Sequence, residues 1–482
     1  MIDPPAPQRR PGLVLAVLAL CGTVMSLQQS IVVPVLPVLP GLLDTSPDNA
    51  SWILTASLLS GAVTTPVVAR LADMHGKRLL MTVVLAVMVT GSAVGAFSET
   101  LAVAIAARTL QGVGVALVPV AIAAMRDELP PDRVPLGVAL MSSTLAIGSA
   151  VGLPVAGLIV THLDWHAVFW VTGAAGTVML VAVPLVLNPS RVVTRGSFDG
   201  PGALLLGGGL SAVLLALTQG AQWGWTSPAT LACAAGGVLA LVALVPLELR
   251  SRHPLVDVRI AKRPAVLLVN VASLLLGFAM FTNLLVSAQL LQLPAATGFG
   301  LGLPPAVAGL WLAPSSLALA VTAPVASLLI RRAGAEATLL LGSVCMAAAY
   351  AARTVLSHEL WQVVAGSVLV VSSVSLTFAA MPVLLIRAVP ETETASANGL
   401  NHLLRSVGSS GSSAVTAVLM TMGLVAVDGA SFPSFDSLVT VLRLAAATSV
   451  LAAVAALALV VGNRRAAFHP SRSERVPEPA RP

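Results

Sequence analysis

The sequence predicts an all-α polytopic membrane protein with fourteen transmembrane helices, and three observations carry that prediction. First, 57% of the 482 residues are hydrophobic and 10% are charged, against about 25% charged in an ordinary soluble domain. A soluble fold of this composition would lack the polar surface to cover itself. Second, no Asp, Glu, Lys or Arg lies between Arg263 and Arg331, an interval about three times the roughly 20 residues that one membrane-spanning helix needs. Third, apolar segments rich in Ala, Leu and Gly recur from end to end and are apolar on every side. Lipid offers no partner for backbone N–H and C=O, so a span is a helix or a strand of a closed barrel. Barrel strands alternate over about 10 residues, which these segments do not, whereas their small side chains suit helix-on-helix packing.

The apolar runs place spans at 12–36, 52–70, 79–97, 101–123, 137–160 and 167–187. Two more lie at 201–219 and 229–248, and the last six at 265–288, 305–330, 337–353, 361–386, 403–425 and 438–461. With the N-terminus inside, 22 of the 26 lysines and arginines fall in inward segments, the bias that sets membrane orientation. Arg108, Arg405 and Arg443 lie within spans, and Arg353 sits at a span edge facing an outward loop. Both ends are therefore expected in the cytoplasm. The net charge of +6 follows from this placement and is no argument for nucleic acid, since no folded basic domain exists to bind it.

The organisation reads as a cytoplasmic N-terminus (1–11), a six-helix bundle (12–187), linker segments with two extra helices (188–264), a second six-helix bundle (265–461) and a disordered cytoplasmic tail (462–482). The first apolar run follows MIDPPAPQRRPG and is too long for a signal peptide, so it reads as a first helix. Cys21, Cys233 and Cys345 lie singly in apolar runs without metal-ligand spacing, and no metal or cofactor is expected.

Charge concentrates in ARLADMHGKR (69–78), the short inward turn between spans two and three. Gly76 supplies the glycine that a tight helix–helix turn needs. Asp73, three residues earlier, suits either the N-terminus of a neighbouring helix or an arginine. Lys77 and Arg78 suit the headgroup layer.

This stretch resembles the cytoplasmic loop motif of the major facilitator superfamily through Leu71, Ala72, Asp73, Gly76, Lys77 and Arg78, with Ala69 in place of a glycine and Met74 in place of an arginine. Further stretches agree. MSLQQSIVVPVLP (25–37) is similar to the first-helix motif, with Gln28 where the family has aspartate. RTLQGVGVA (108–116) matches the fourth-helix pattern. GSAVGLPVAG (148–157) resembles the fifth-helix antiporter motif, with Pro154 shifted by one position. LDWHAVFW (163–170) and NGLNHLLRSVGSSG (398–411) carry weaker likenesses. With fourteen spans, the chain resembles the drug:proton antiporter branch, which contains multidrug and quaternary-ammonium exporters. The resemblance implies two six-helix bundles plus two additional central helices, and a conformational latch at Asp73, Gly76, Lys77 and Arg78.

An ionisable residue at membrane depth is costly and usually functional. Arg108 either faces the central cavity or satisfies neighbouring carbonyls, and Gln111 shares its helix face. Arg405 lies near an inner helix end, where snorkelling and function both fit. Gln28 and Gln29 interrupt span one, and at least one of them is expected to line the cavity. Asn283, Gln289 and Gln292 make a second polar seam in and after span nine. Gly112, Gly114, Gly148, Gly152 and Gly157 suit close helix approach, either static or sliding between moving bundles, and Pro154 permits a bend. No Asp or Glu lies well inside any span, which points to an apolar, neutral or anionic substrate.

No phosphate loop, zinc-protease motif or soluble catalytic domain is present in the sequence, so no enzyme is expected. The reading is a secondary efflux transporter, acting as a monomer in the plasma membrane of a bacterium. Its partners are membrane lipids, a small lipophilic substrate and protons. The alternatives are an uptake carrier for a small metabolite and a non-transporting scaffold or sensor.

Overall fold

The computed structural model describes residues 11–32, 35, 39–45, 47–189, 198–251, 258–427 and 430–468. The segments 1–10 and 469–482, most of the linker 191–202 and the side-chain surroundings of Pro154 and Gly157 lie outside the described residues.

The long helices are α1 (Pro11–Ser30), α2 (Pro47–His75), α3 (Lys77–Ala96), α4 (Leu101–Glu128), α5 (Val134–His162), α6 (Ala167–Val186) and α7 (Gly200–Trp223). They continue as α8 (Pro228–Arg250), α9 (Pro264–Gln292), α10 (Pro305–Ala333), α11 (Ala335–Arg353), α12 (Leu360–Ala388), α13 (Thr394–Met422) and α14 (Phe435–Phe468). Among the described residues, 12 helices are long and apolar enough to cross a membrane. The fold is thus that of an all-α, multi-pass membrane protein.

Sequence and structure differ at several ends, each for a physical reason. Helix α1 stops at Ser30 rather than 36, where the Gln28 carbonyl accepts from Arg108 Nη1 at 3.2 Å. Helix α13 begins at Thr394, nine residues before the apolar run that marks it. Its polar first turns are helical because they are bonded within the protein: Asn401 Nδ2 donates to Asn270 Oδ1 at 3.1 Å. Arg405 is therefore not at a helix end but eleven residues, about 16 Å, from the helix start. A short antiparallel hairpin pairs β1 (Leu424–Val427) with β2 (Ala430–Pro433), Leu424 opposite Pro433. The uniformly helical expectation missed it.

Helices α1 to α6 pack on one another, as do α9 to α14, while α7 pairs with α8. Contact between the first and last six runs through α5 against α10 and α12, and through α13 against α2 and α4. Apolar burial drives little of this in lipid, so close backbone approach matters more. Gly408 on α13 faces the Leu274 carbonyl of α9, and Gly277 of α9 faces the Arg405 carbonyl, so a side chain at either glycine would strike backbone. Gly76 joins α2 to α3 at φ 98°, and Gly334 joins α10 to α11 at φ 91°. Both turns need glycine because an L side chain is strained there.

Candidate functional site

Helix α2 runs one turn past its apolar stretch, which carries Asp73 into the protein at 1% exposure. There its carboxylate accepts the Ser396 backbone N–H at 2.8 Å, the Ser396 hydroxyl at 2.9 Å and the Ala395 N–H at 3.2 Å. These are orphan donors of the first turn of α13. An anion at a helix N-terminus is also favoured by the aligned peptide dipoles. Of the two partners that suited Asp73, the helix terminus is the one found.

Lys77 stands between two carboxylates, 2.8 Å from Asp127 Oδ2 and 3.9 Å from Asp73 Oδ1. Two arginines reach from the first six helices to the start of α13 and the segment before it. Arg126 donates to Thr394 Oγ1 at 2.7 Å and to the Val389 carbonyl at 3.4 Å. Arg70 lies 3.8 Å from Glu393. Half-buried Met74 occupies the position where the family motif has arginine. The charges that bridge the two halves here come from Arg126 and Arg70 instead. Asp127, Arg126 and Glu393 were not singled out by the sequence, because charges at helix ends look alike until their partners are known. Arg78 is half-buried at the same turn.

Deeper in the first six helices, Arg108 is fully buried. Its Nη1 donates to Gln111 Oε1 at 2.8 Å and to the Gln28 carbonyl at 3.2 Å. Gln28 Nε2 returns a bond to the Gln111 carbonyl at 2.9 Å. Gln111 Nε2 donates to Ser92 Oγ at 2.7 Å and Thr172 Oγ1 at 3.2 Å. The network ties α1, α3, α4 and α6 together. No carboxylate pairs with Arg108 among the described residues, and its Nε and Nη2 have no hydrogen-bond acceptor there. Burying a cation this way is costly. Gln29 is half-buried and accepts from Ser57 Oγ at 3.4 Å.

The last six helices hold a second such centre that the sequence reading missed. Arg353, read as a span-edge residue facing an outward loop, does end α11 but turns inward and is 1% exposed. Its Nη1 donates to Asn283 Oδ1 and its Nη2 to Ser287 Oγ at 2.9 Å. Asn283 Nδ2 donates to Ser367 Oγ at 2.9 Å. Gly366 leaves room for the Arg353 stem. That glycine, seven residues into the helix after the arginine, was the available signal. Gln289 and Gln292 do not join Asn283 in a seam. They are exposed at the C-terminal end of α9, while Asn283 turns inward. Arg405 is half-buried, with its guanidinium carbon 4.4 Å from the Phe378 ring centroid.

The glycines of α4 and α5 make close approaches inside the first six helices. A methyl group at Gly148 would meet Ser26 Cβ at 2.5 Å, and Gly152 faces Ser30, both on α1. These two glycines therefore do not face the last six helices, because α5 turns its other side to α10. Gly112 abuts the Ser57 carbonyl of α2, and Gly114 sits beside Met88 and Gln28. In the loop before α6, the His166 backbone N–H binds the Asp164 carboxylate at 2.8 Å and holds its pKa below the ordinary carboxylate value. The His166 ring bonds the Ser98 carbonyl at 2.7 Å.

The family model described as Major Facilitator Superfamily matches residues 18–413. The chain belongs to the major facilitator superfamily. It is accordingly a multi-pass secondary transporter rather than an enzyme. Major facilitator relatives include the tetracenomycin C resistance and export protein of Streptomyces glaucescens, 28% identical over 83% of this chain and 74% of that one. The multidrug resistance protein Stp of Mycobacterium tuberculosis is 27% identical over 75% of this chain and 67% of that one. Among solved structures, the human organic anion transporter MFSD10 superposes with TM-score 0.67 at 15% identity, covering 94% of this chain and all (100%) of that one. That likeness bears on the fold alone.

Proposed function

We propose that the chain is a fourteen-helix, proton-coupled exporter of small lipophilic molecules, with neutral or anionic compounds preferred. It works by alternating access: α1–α6 (within 12–187) rock against α9–α14 (within 265–461) around a central site. Helices α7 and α8 are not part of either moving half, and α7 packs on α2 and α13. Both termini lie in the cytoplasm of a bacterium, and one chain is the working unit. The Asp73 end is then the cytoplasmic end, and the conformation described is the one closed on that side.

The observation that carries this reading is the contact of Asp73 with the first turn of α13. It joins the two halves by three hydrogen bonds made to a buried carboxylate. Such a contact has two discrete states, made and broken, and a transporter needs such an element. The names of the relatives support export and a drug-like substrate. The interior supports the preference of charge: Arg108 and Arg353 are buried without a carboxylate partner among the described residues. A cationic substrate would meet repulsion there.

The test is accumulation by proteoliposomes of the purified chain. Tetracenomycin C, a lipophilic carboxylate dye and tetraphenylphosphonium are each offered with and without a proton gradient. Gradient-driven accumulation of the first two and not of the third is expected. Accumulation of tetraphenylphosphonium alone would overturn the charge preference, and flux in the uptake direction alone would favour the metabolite carrier.

A further inference from the structure

At the Asp73 end of the protein, Lys77, Arg70 and Arg126 all have partners in the contact between the halves or beside it. A second group of cations at that end is placed differently. Arg250 closes α8, Lys262 and Arg263 lead into α9, and Arg387 stands in the last turn of α12. All four are exposed. None of them makes a salt bridge among the described residues. Of the acids nearest in sequence, Glu248 is buried and Glu393 lies 3.8 Å from Arg70. Glu391 is exposed, one acid against four cations.

Hydrogen bonds bring these cations together from three helices. Arg259 Nη2 donates to the Leu249 carbonyl at 3.0 Å, next to Arg250. The short helix Val258–Ala261 carries Arg259, and its turn continues into the next residues: the Lys262 N–H donates to the Val258 carbonyl at 3.0 Å. Arg263 Nη1 then donates to the Ala388 carbonyl at 3.2 Å, next to Arg387. Ile260 packs against the hydrophobic core, so the short helix lies on the protein with exposed Arg259 and Lys262 to the outside. The Val389 carbonyl, one residue further along, accepts from Arg126, which fixes the whole group at the Asp73 end.

Apolar flanks of two helices run up to this group. Of the 12 candidate spans, α8 is the least enclosed by protein. Its exposed Val238, Val242 and Val245 recur at helical spacing and form one stripe that ends within two turns of Arg250. Exposed Leu267 and Val271 do the same on α9, starting one turn beyond Arg263. An anionic phospholipid has the same two parts in the same order, a phosphate at the surface and acyl chains below it. Clusters of four to eight Lys and Arg immediately cytoplasmic of a membrane-spanning helix recognise anionic headgroups.

We propose that Arg250, Lys262, Arg263 and Arg387 bind the phosphate of an anionic phospholipid whose acyl chains lie along α8 and the start of α9. The inference rests on the reading above that the Asp73 end faces the cytoplasm, whose leaflet carries the anionic lipid. Guanidinium and ammonium N–H groups donate charge-assisted hydrogen bonds to the phosphate oxygens. The ligand is a lipid rather than a free phosphate because apolar side chains adjoin the cations. None of the four residues belongs to the contact between the halves. A phosphate held by both Arg250 and Arg387 ties the end of α8 to the end of α12, so the lipid fastens the two extra helices to the second half.

The experiment titrates the full chain in neutral detergent with phosphatidylglycerol, and with phosphatidylcholine of the same acyl chains, counting bound lipid by native mass spectrometry. Each surface cation is worth about fivefold in affinity for an anionic headgroup. The double variant Lys262→Gln/Arg387→Gln should therefore bind phosphatidylglycerol at least tenfold more weakly than wild type. Lys262→Arg/Arg387→Lys, which keeps both charges, should bind it as wild type does. Arg331→Gln/Arg332→Gln removes two exposed cations from α10 at the same end and should change binding less than twofold. Equal affinity of wild type for the two lipids, or equal losses in the two glutamine pairs, overturns the inference. Displacement of the lipid by millimolar inorganic phosphate overturns it as well, in favour of a free-anion site. Binding in detergent needs neither flux nor a sidedness. The orientation is read separately, from a Lys262→Cys probe in a background lacking Cys21, Cys233 and Cys345. Its labelling from outside the cell by an impermeant maleimide would overturn the cytoplasmic assignment, and with it the leaflet that supplies the lipid.

Discussion

The Asp73 carboxylate of α2 accepts the Ser396 backbone N–H of α13 at 2.8 Å, across 323 residues of chain. The bond joins helices from opposite halves of the molecule. It is made by the end of one helix and the beginning of another.

Replacing Asp73 with Asn keeps the size and removes the charge. Charge-assisted bonds are worth about 1.5–3 kcal/mol each, so the variant should shift the population away from the closed latch by at least tenfold. Labelling of a Met74→Cys probe by an impermeant maleimide, in a background lacking Cys21, Cys233 and Cys345, should rise. Unchanged labelling would mean that Asp73 is structural only.

Gly76 adopts φ 98°, where an L side chain costs on the order of 1–3 kcal/mol. Gly76→Ala should lower the thermal unfolding midpoint measured in detergent. Gly91→Ala provides the contrast, since strain there is steric only, against the Ala107 carbonyl at 2.8 Å.

Much of the fold is legible in the sequence because lipid makes backbone satisfaction compulsory. Every long apolar run had to be a helix, and the arginines sort by loop. The latch was legible in part: Asp73 stands beside a turn glycine and carries a charge that needs a partner. Its partner was not, since no local pattern links residue 73 to 396. Polarity hid more. The first turns of α13 are too polar for a hydropathy reading, which put Arg405 at a helix end. Arg353 was placed rightly at a span edge but its inward turn was not foreseen, because an arginine there normally turns to water. Here Asn283 and Ser287 offer it a better alternative inside.

Arg108 is held by the Gln111 side chain and the Gln28 carbonyl. Arg108→Ala leaves both acceptors unpaired, and each buried orphan costs about 1–3 kcal/mol. Arg108→Lys keeps the charge but lacks the fork. Export should fall at least tenfold in the alanine variant and less in the lysine variant. Equal losses would mean that the geometry of the guanidinium, not its charge, matters.

The α9–α13 crossing allows no side chain at Gly408, which faces the Leu274 carbonyl. Gly408→Val should separate the helices and cost several kcal/mol, the range of severe core overpacking. Thermal unfolding in detergent checks it. A midpoint within error of wild type would contradict the crossing.

The most direct test of the whole account records internal pH and internal tetracenomycin C together in the same proteoliposomes under an imposed proton gradient. Alternating-access antiport requires the two to move in opposite directions, each stopping when the other is withheld. Substrate flux with no accompanying change in internal pH would contradict it.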